Sequence, residues 1–153
     1  MKMHGYNGSQ CWDTSFAIQA ISECHLLDEF PDLSKKVWSY LECTLILSTG
    51  ISQASPGYDY ESNENREKYY RHVSQGGWLF GTSAHGWPIS DCSGKVLRVV
   101  IVLLKSTAVQ NAVKDGTLRG FNEKRLQDAV NVILTLQNKD GGWATYENDR
   151  GFG

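Results

Sequence analysis

Long apolar runs are scarce in this 153-residue chain. The longest, Val96 to Leu104, carries Arg98 and is far too short to cross a bilayer, so a helix buried on most sides is expected there. An excess of charge of one sign is missing too. The 15 basic and 17 acidic residues leave a formal net charge of −2, with no basic run and no basic–aromatic stripe. That argues against a polyanion partner, and no nucleic acid is expected. The four cysteines, Cys11, Cys24, Cys43 and Cys92, form no C-x-x-C pair and keep no regular spacing. They read as reduced, intracellular thiols rather than a disulfide frame or a zinc site. The four histidines, His4, His25, His72 and His85, are equally scattered, so no metal centre is expected. Met1 to Gly8 has no apolar h-region, which speaks against a signal peptide, and both ends read as cut, because each lies close to a motif. The length matches one ordinary domain with room for a core.

Helical periodicity dominates what is there. Phe16, Ala17, Ala20, Ile21 and Cys24 fall on one face, with Asp13 or Thr14 as the N-cap. Pro31 and Asp32 open a second helix, whose stripe is Leu33, Val37, Tyr40 and Leu41. A third is expected from about Asp91 to Thr107. A fourth starts near Asn122, carries Leu126, Ala129, Val130, Ile133, Leu134 and Gln137, and ends at Gly141-Gly142 in a left-handed turn. No segment alternates strictly enough for a strand, so the class is all-α. Between the second and third helices, Ser48 to Asn65 is polar and rich in Gly, Ser, Asn and Tyr, with Pro56-Gly57 inside, and residues 45–65 read as an insertion or loop.

Two corners echo one another. Ser74-Gln75-Gly76-Gly77-Trp78 and Gln137-Asn138-Lys139-Asp140-Gly141-Gly142-Trp143 each place Gly-Gly-Trp after a Gln. A Gln amide can satisfy orphan backbone groups at a helix end while an indole covers the turn. Repeated helix hairpins with such corners suggest an α/α solenoid closed into a toroid. Two unrelated glycine turns, each with a surface Trp, are the alternative.

The segment His85-Gly86-Trp87-Pro88-Ile89-Ser90-Asp91-Cys92 sets an acid beside a thiol, ahead of the apolar run. A carboxyl there is costly to bury in ionised form, and a neutral one beside tryptophans can donate a proton to an apolar substrate. An Asp before a helical run can equally serve as a helix cap.

Together these pieces resemble the oxidosqualene cyclases, enzymes that fold 2,3-oxidosqualene into sterol or triterpene skeletons. Tyr6-Asn7-Gly8-Ser9-Gln10-Cys11-Trp12-Asp13-Thr14-Ser15-Phe16-Ala17 is similar to the family's N-G-S-Q-x-W-D-T-A-F-A segment. Tyr69-Tyr70-Arg71-His72 and the His85 to Cys92 segment are similar to its Y-Y-R-H and H-G-W-P-I-S-D-C segments. Gln137 to Trp143 fits its QW repeat, and Ala144-Thr145-Tyr146-Glu147 follows as in the family. The likeness covers nearly all of the chain outside residues 45–65.

The resemblance implies that residues 1–153 are part of the second, catalytic α/α-barrel domain of a much longer enzyme. It makes Asp91 the general acid that protonates the epoxide and Cys92 one of the thiols hydrogen-bonded to it. A thiol donor would stabilise the carboxylate left after transfer. Trp12, Phe80 and Tyr146 match cavity-lining aromatics, whose π faces stabilise a migrating cation. Without the resemblance, Trp12 and Phe80 read as core packing. Tyr6, His85 and Ile89 match the combination found in cycloartenol-forming members, where lanosterol-forming ones usually have Val in place of Ile89. A one-methylene difference of about 1 kcal/mol suffices to redirect a late cation. No cofactor is implied. The partner implied is 2,3-oxidosqualene, and any membrane association would come through parts outside this chain, at the surface of the endoplasmic reticulum or of lipid droplets.

The likeness breaks at the family's D-C-T-A-E signature, which here reads Asp91-Cys92-Ser93-Gly94-Lys95. Gly94 costs the first helical turn roughly 0.5–1 kcal/mol. Lys95 replaces an acid with a cation near the catalytic carboxyl, favours its ionised form, and opposes the helix dipole. Ala84 stands where the family often has Asp. Two classes stay open: an enzyme segment, and a catalytically dead helical remnant that binds at most lipid or protein. A toroidal glycosidase would need a pair of carboxylates where only Asp91 stands out.

Overall fold

The computed structural model describes residues 8–46, 74–81 and 88–145. Among them are five α-helices: α1 (Gln10–Glu23), α2 (Pro31–Thr44), α3 (Ser90–Leu103), α4 (Thr107–Lys114) and α5 (Glu123–Thr135). A short 3₁₀ turn, Leu27–Glu29, links α1 to α2. No strand occurs among the described residues, only the isolated bridges Leu79 with Pro88 and Gln137 with Trp143. The all-α class is therefore observed.

Helix α3 is the centre of the packing. Cys92, Val96, Val99, Val100 and Leu103 are fully buried, and α1, α2 and α5 pack around it. Helix α1 runs alongside α3 in the same direction: the Gln19 amide donates to the Lys95 carbonyl at 3.5 Å, and farther along Arg98 pairs with Glu23 at 3.0 Å. Helix α2 opens on Pro31, whose missing N–H costs nothing at a helix start. It buries Val37, Trp38 and Leu41. The Trp38 indole N–H donates to the Arg119 carbonyl at 2.6 Å, and its ring meets Phe121 edge-on at 4.9 Å. Glu42 on α2 and Arg125 on α5 form a largely buried ion pair at 2.8 Å.

Three sequence expectations need correction. The α1 stripe is on the wrong face: Phe16 is 43% exposed, and Ala17, Ala20 and Cys24 are exposed. The buried face is Cys11, Ser15 and Ile18. Apolar and small residues surround this helix on all sides, so periodicity gives no direction. Ser15 can be buried because its hydroxyl donates to the Cys11 carbonyl at 2.8 Å. The helix starts at Ser9, not Asp13, and the Ser9 hydroxyl donates to Asp13 Oδ2 at 2.6 Å.

The third helix does not reach Thr107. It stops at Leu103, turns through residues 104–106, and restarts as α4 at 82°. Gln110 returns its amide to the Leu104 carbonyl at 2.8 Å, satisfying a helix-end acceptor that the sequence pattern does not reveal. No single helix among the described residues is long and apolar enough to cross a membrane.

The fourth expected helix, α5, begins as read, with Asn122 Oδ1 accepting from the Arg125 amide at 2.9 Å. It ends at Thr135 rather than Gly141. Its buried residues are Ala129 and Val132, whereas Leu134 is 53% exposed.

The two Gly-Gly-Trp corners share a device. The Trp78 indole N–H donates to the Leu41 carbonyl in the last turn of α2 at 3.0 Å, and the Trp143 indole N–H donates to the Ile133 carbonyl in the last turn of α5 at 2.9 Å. In both, the indole rather than the Gln satisfies the helix end. Gln137 instead donates to the Gly141 carbonyl within its own turn, and Gln75 donates to Asp128 on α5. Gly76 has φ +89°, and a Cβ there would lie 2.4 Å from the Asp128 carbonyl carbon. Only glycine allows that approach.

Candidate active site at the start of α3

Three pieces of chain converge beside the first turn of α3. The amide of Trp12 on α1 donates to the Phe80 carbonyl at 3.3 Å. The Cys92 thiol on α3 donates to the Leu79 carbonyl at 3.3 Å. Ser93 fixes the same segment twice: its hydroxyl accepts from the Trp78 amide at 3.0 Å and donates to the Trp78 carbonyl at 3.3 Å. Residues 78–80 thus form a tie between the starts of α1 and α3. A fourth piece joins them, since the Ser90 amide donates to the Thr145 carbonyl at 3.1 Å.

Asp91 lies in the first turn of α3 and is exposed. Its carboxylate Oδ1 accepts from the Cys92 amide at 2.7 Å. That amide is one of the orphan donors of a helix start, so Asp91 does part of a cap's work from inside the helix, while the N-cap position itself is Ile89. The expectation of a sulfur donor to Asp91 is corrected here, because the Cys92 thiol points its proton at Leu79 and the Asp91 contact is made by the backbone.

Trp12 and Phe80 are half-buried and meet at a tilt of 39° with ring centroids 5.4 Å apart, and Phe16 meets Trp12 edge-on at 4.9 Å. Both Trp12 and Phe80 touch the core cluster. Ile89 is 3% exposed and directly precedes α3. The predicted residues Trp12, Phe80, Ile89, Asp91 and Cys92 therefore gather at one end of the helix pair. Tyr6, His85 and Tyr146 lie outside the described residues, as do the Tyr69 to His72 motif and most of residues 45–65. Of that last stretch, Leu45 is buried, and the Ile46 amide donates to the Gly77 carbonyl at 3.2 Å.

Lys95 directs its ammonium to the face of Phe16, 4.8 Å from the ring centroid. The Lys95 charge thus faces an aromatic of α1. Gly94 has open space around it, with nothing within 4 Å of the place a Cβ would take.

Sequence reasoning missed Cys11. It is fully buried in the core cluster that also holds Cys92. The neighbouring Cys11, together with burial, pushes the Cys92 thiol far above the usual thiol range, so it stays protonated. The Tyr40 hydroxyl is buried without a hydrogen-bond partner, and burial, with Cys11 and Cys92 nearby, pushes it up to about 12. The signal was available: Cys11 occupies the open position of N-G-S-Q-x-W, one residue before Trp12. Among the described residues no three His, Cys, Asp or Glu side chains cluster to hold a metal ion. An apolar cavity of about 240 Å³, between Trp38, Val109, Val113 and Phe121, includes none of the candidate residues in its lining.

Comparison with known proteins places this geometry in a family. Residues 8–152 match the squalene-hopene cyclase C-terminal domain. A cycloartenol synthase from Dictyostelium discoideum is 42% identical over 151 residues, covering 99% of this chain and 18% of that protein. A lanosterol synthase from Mus musculus is 40% identical over 153 residues, with the same two coverages. An alpha-onocerin synthase from Lycopodium clavatum is 31% identical over 147 residues, covering 96% of this chain and 17% of that protein. The chain thus spans less than a fifth of the length of these relatives. Its helices are of the α/α-toroid type, and the chain belongs to the oxidosqualene cyclase family.

Proposed function

We propose that this chain is a segment of an oxidosqualene cyclase, part of its second α/α-barrel domain, and that it supplies the acid end of the cavity. The parent would cyclise (3S)-2,3-oxidosqualene to a cycloartenol-like sterol precursor. The observation that carries the reading is the convergence of the Asp91-Cys92 segment with the tilted ring pair Trp12 and Phe80 at the starts of α1 and α3.

In this mechanism Asp91, in its protonated form, gives its proton to the epoxide oxygen. The C–O bond opens, and the carbon left electron-poor is attacked by the neighbouring double bond, so that ring closures follow along the polyene. Trp12 and Phe80 offer π faces to the travelling cation, with Tyr146 as a third. The reaction ends on loss of a proton, so atoms are conserved and no cofactor is required. Tyr6, His85 and Ile89 would set the cycloartenol-type ending. The enzyme would work at the surface of the endoplasmic reticulum or of lipid droplets, held there by parts outside this chain.

The second reading, a catalytically dead remnant, is favoured by Lys95 in place of an acid. A chimera that supplies the rest of the barrel separates the two. Product from the chimera, lost in Asp91→Asn, supports the enzyme. No product with Lys95, and none with Lys95→Glu, supports the remnant. Recovery only with Lys95→Glu identifies Lys95 as the disabling change, and lanosterol rather than cycloartenol refutes the reading of Tyr6, His85 and Ile89.

A further inference from the structure

We infer that the cavity between α2 and α4 is a binding site for a fatty carboxylate, with the acyl tail in the apolar space and the carboxylate at Lys114. The cavity measures about 240 Å³, and Trp38, Leu104, Val109, Val113 and Phe121 supply its apolar wall. An apolar space of about 150 Å³ is enough to hold benzene, so this one has room for a longer stretch of hydrocarbon. Its aromatic side is preformed. The Trp38 indole is held by its bond to the Arg119 carbonyl at 2.6 Å, Phe121 meets that ring edge-on at 4.9 Å, and Trp78 lies 6.1 Å from Phe121. Gly120 completes the wall without a side chain. A Cβ there would stand 3.2 Å from Val113 Cγ1 and narrow the space between them.

The chemistry of the wall selects the ligand. The Trp38 N–H and the Gln110 amide are already bonded within the chain, to the carbonyls of Arg119 and Leu104, which leaves hydrocarbon as the better occupant of the interior. Gln110 and Lys114 are exposed members of the lining and mark its mouth. Lys114 enters no ion pair among the described residues. A lysine stem lies along apolar surface while its ammonium stays in water, which matches a ligand that is apolar inside and anionic at the opening. Arg119, also exposed, directly precedes Gly120 in the wall. No acid lines the cavity. Asp115 follows Lys114, but its carboxylate accepts from the Thr117 amide at 2.9 Å. That one charge, with the roughly half a negative unit at a helix C-terminus, is outweighed by the two cations. A positive mouth on an uncharged interior takes an anionic head and a hydrocarbon tail. The site does not depend on the proposed catalysis, because binding is read directly whether or not the parent turns over substrate.

The test titrates the whole chain with sodium octanoate below its micelle concentration, followed by NMR of isotope-labelled valine methyls and tryptophan indoles. Expected are saturable shifts at Val109, Val113 and Trp38, with the signals of α1 unmoved. Lys114→Met should weaken octanoate about two- to fivefold, as loss of one exposed ion pair would, and leave 1-octanol unchanged. Added salt should weaken octanoate alone. Val113→Trp, which fills the space, should abolish binding of both probes. If that variant does not fold, the unmodified chain and Lys114→Met decide. No saturable shift at the three wall residues, or shifts spread over the whole surface, would overturn the site. Octanoate bound equally well by the parent and Lys114→Met, or octanol weakened as much as octanoate, would overturn the anionic head and with it the inference.

Discussion

Asp91 and Cys92 meet through the backbone: the Cys92 amide donates to Asp91 Oδ1 at 2.7 Å, while the Cys92 thiol donates to the Leu79 carbonyl at 3.3 Å. The two jobs are therefore separable. Cys92→Ala removes the thiol bond and keeps the amide that Asp91 accepts from. The expected loss is about 0.5–1.5 kcal/mol in stability with unchanged helix content, read by urea unfolding followed by circular dichroism. A loss of helix would show that the thiol also holds the start of α3.

Ser93 carries the tie to Trp78 through two bonds, at 3.0 and 3.3 Å, in a fully buried position. Ser93→Ala leaves a buried amide and carbonyl without their partner, and about 1–3 kcal/mol should be lost. Ser93→Thr, the residue at this place in the family signature, should keep both bonds. Denaturant midpoints of the two variants should lie well apart, and equal midpoints would contradict the double role.

Two glycines should answer oppositely to alanine. Gly94 is helical with open space around it, so Gly94→Ala should stabilise by about 0.5–1 kcal/mol. At Gly76 the new Cβ would meet the Asp128 backbone at 2.4 Å with φ at +89°. Overpacking alone costs about 1–3 kcal/mol, and the left-handed backbone adds about 1–2. Thermal midpoints on either side of the parent are the expected readout.

Lys95 and Phe16 should be coupled. The ammonium lies 4.8 Å from the ring centroid, and Phe16 is 43% exposed, so a coupling of about 0.5–1 kcal/mol is expected from a double-mutant cycle of Lys95→Met and Phe16→Leu. A coupling of zero would mean that the cation gains nothing from the ring.

Tyr40 gives a pH signature. Its hydroxyl is pushed up from 10.0 to about 12, first by burial and then by Cys11 and Cys92. The folded chain therefore holds this proton more tightly than the unfolded chain. The stabilisation is fully present below pH 10.0 and is lost as the pH rises through about 12. Stability should fall over that window in the parent and fall less in Tyr40→Phe. Because the hydroxyl has no partner, Tyr40→Phe should match or exceed the parent near neutral pH, by up to about 1 kcal/mol. Denaturant midpoints against pH test both halves.

What the sequence determined by itself is local or motif-borne. Pro31 fixes a helix start through its ring, Asn122 fixes another through its side-chain cap, and both stand where the sequence pattern puts them. The two Gly-Gly-Trp corners are visible because the left-handed backbone of Gly76 and Gly141 admits few residues. The motifs around Trp12, Phe80 and Asp91 mark the candidate site. Tertiary structure decided which faces are buried. On α1 it chose Cys11, Ser15 and Ile18 over the more apolar Phe16, because Ser15 can satisfy its hydroxyl within its own helix and α3 covers that side. It broke the expected third helix at residues 104–106, where Gln110 reaches back to the open carbonyl of Leu104. It also brought Cys11 and Cys92 into one buried cluster across 81 positions of chain, which no spacing could announce, because the Trp12 amide and the Cys92 thiol bond to neighbouring carbonyls of one dipeptide from separate helices.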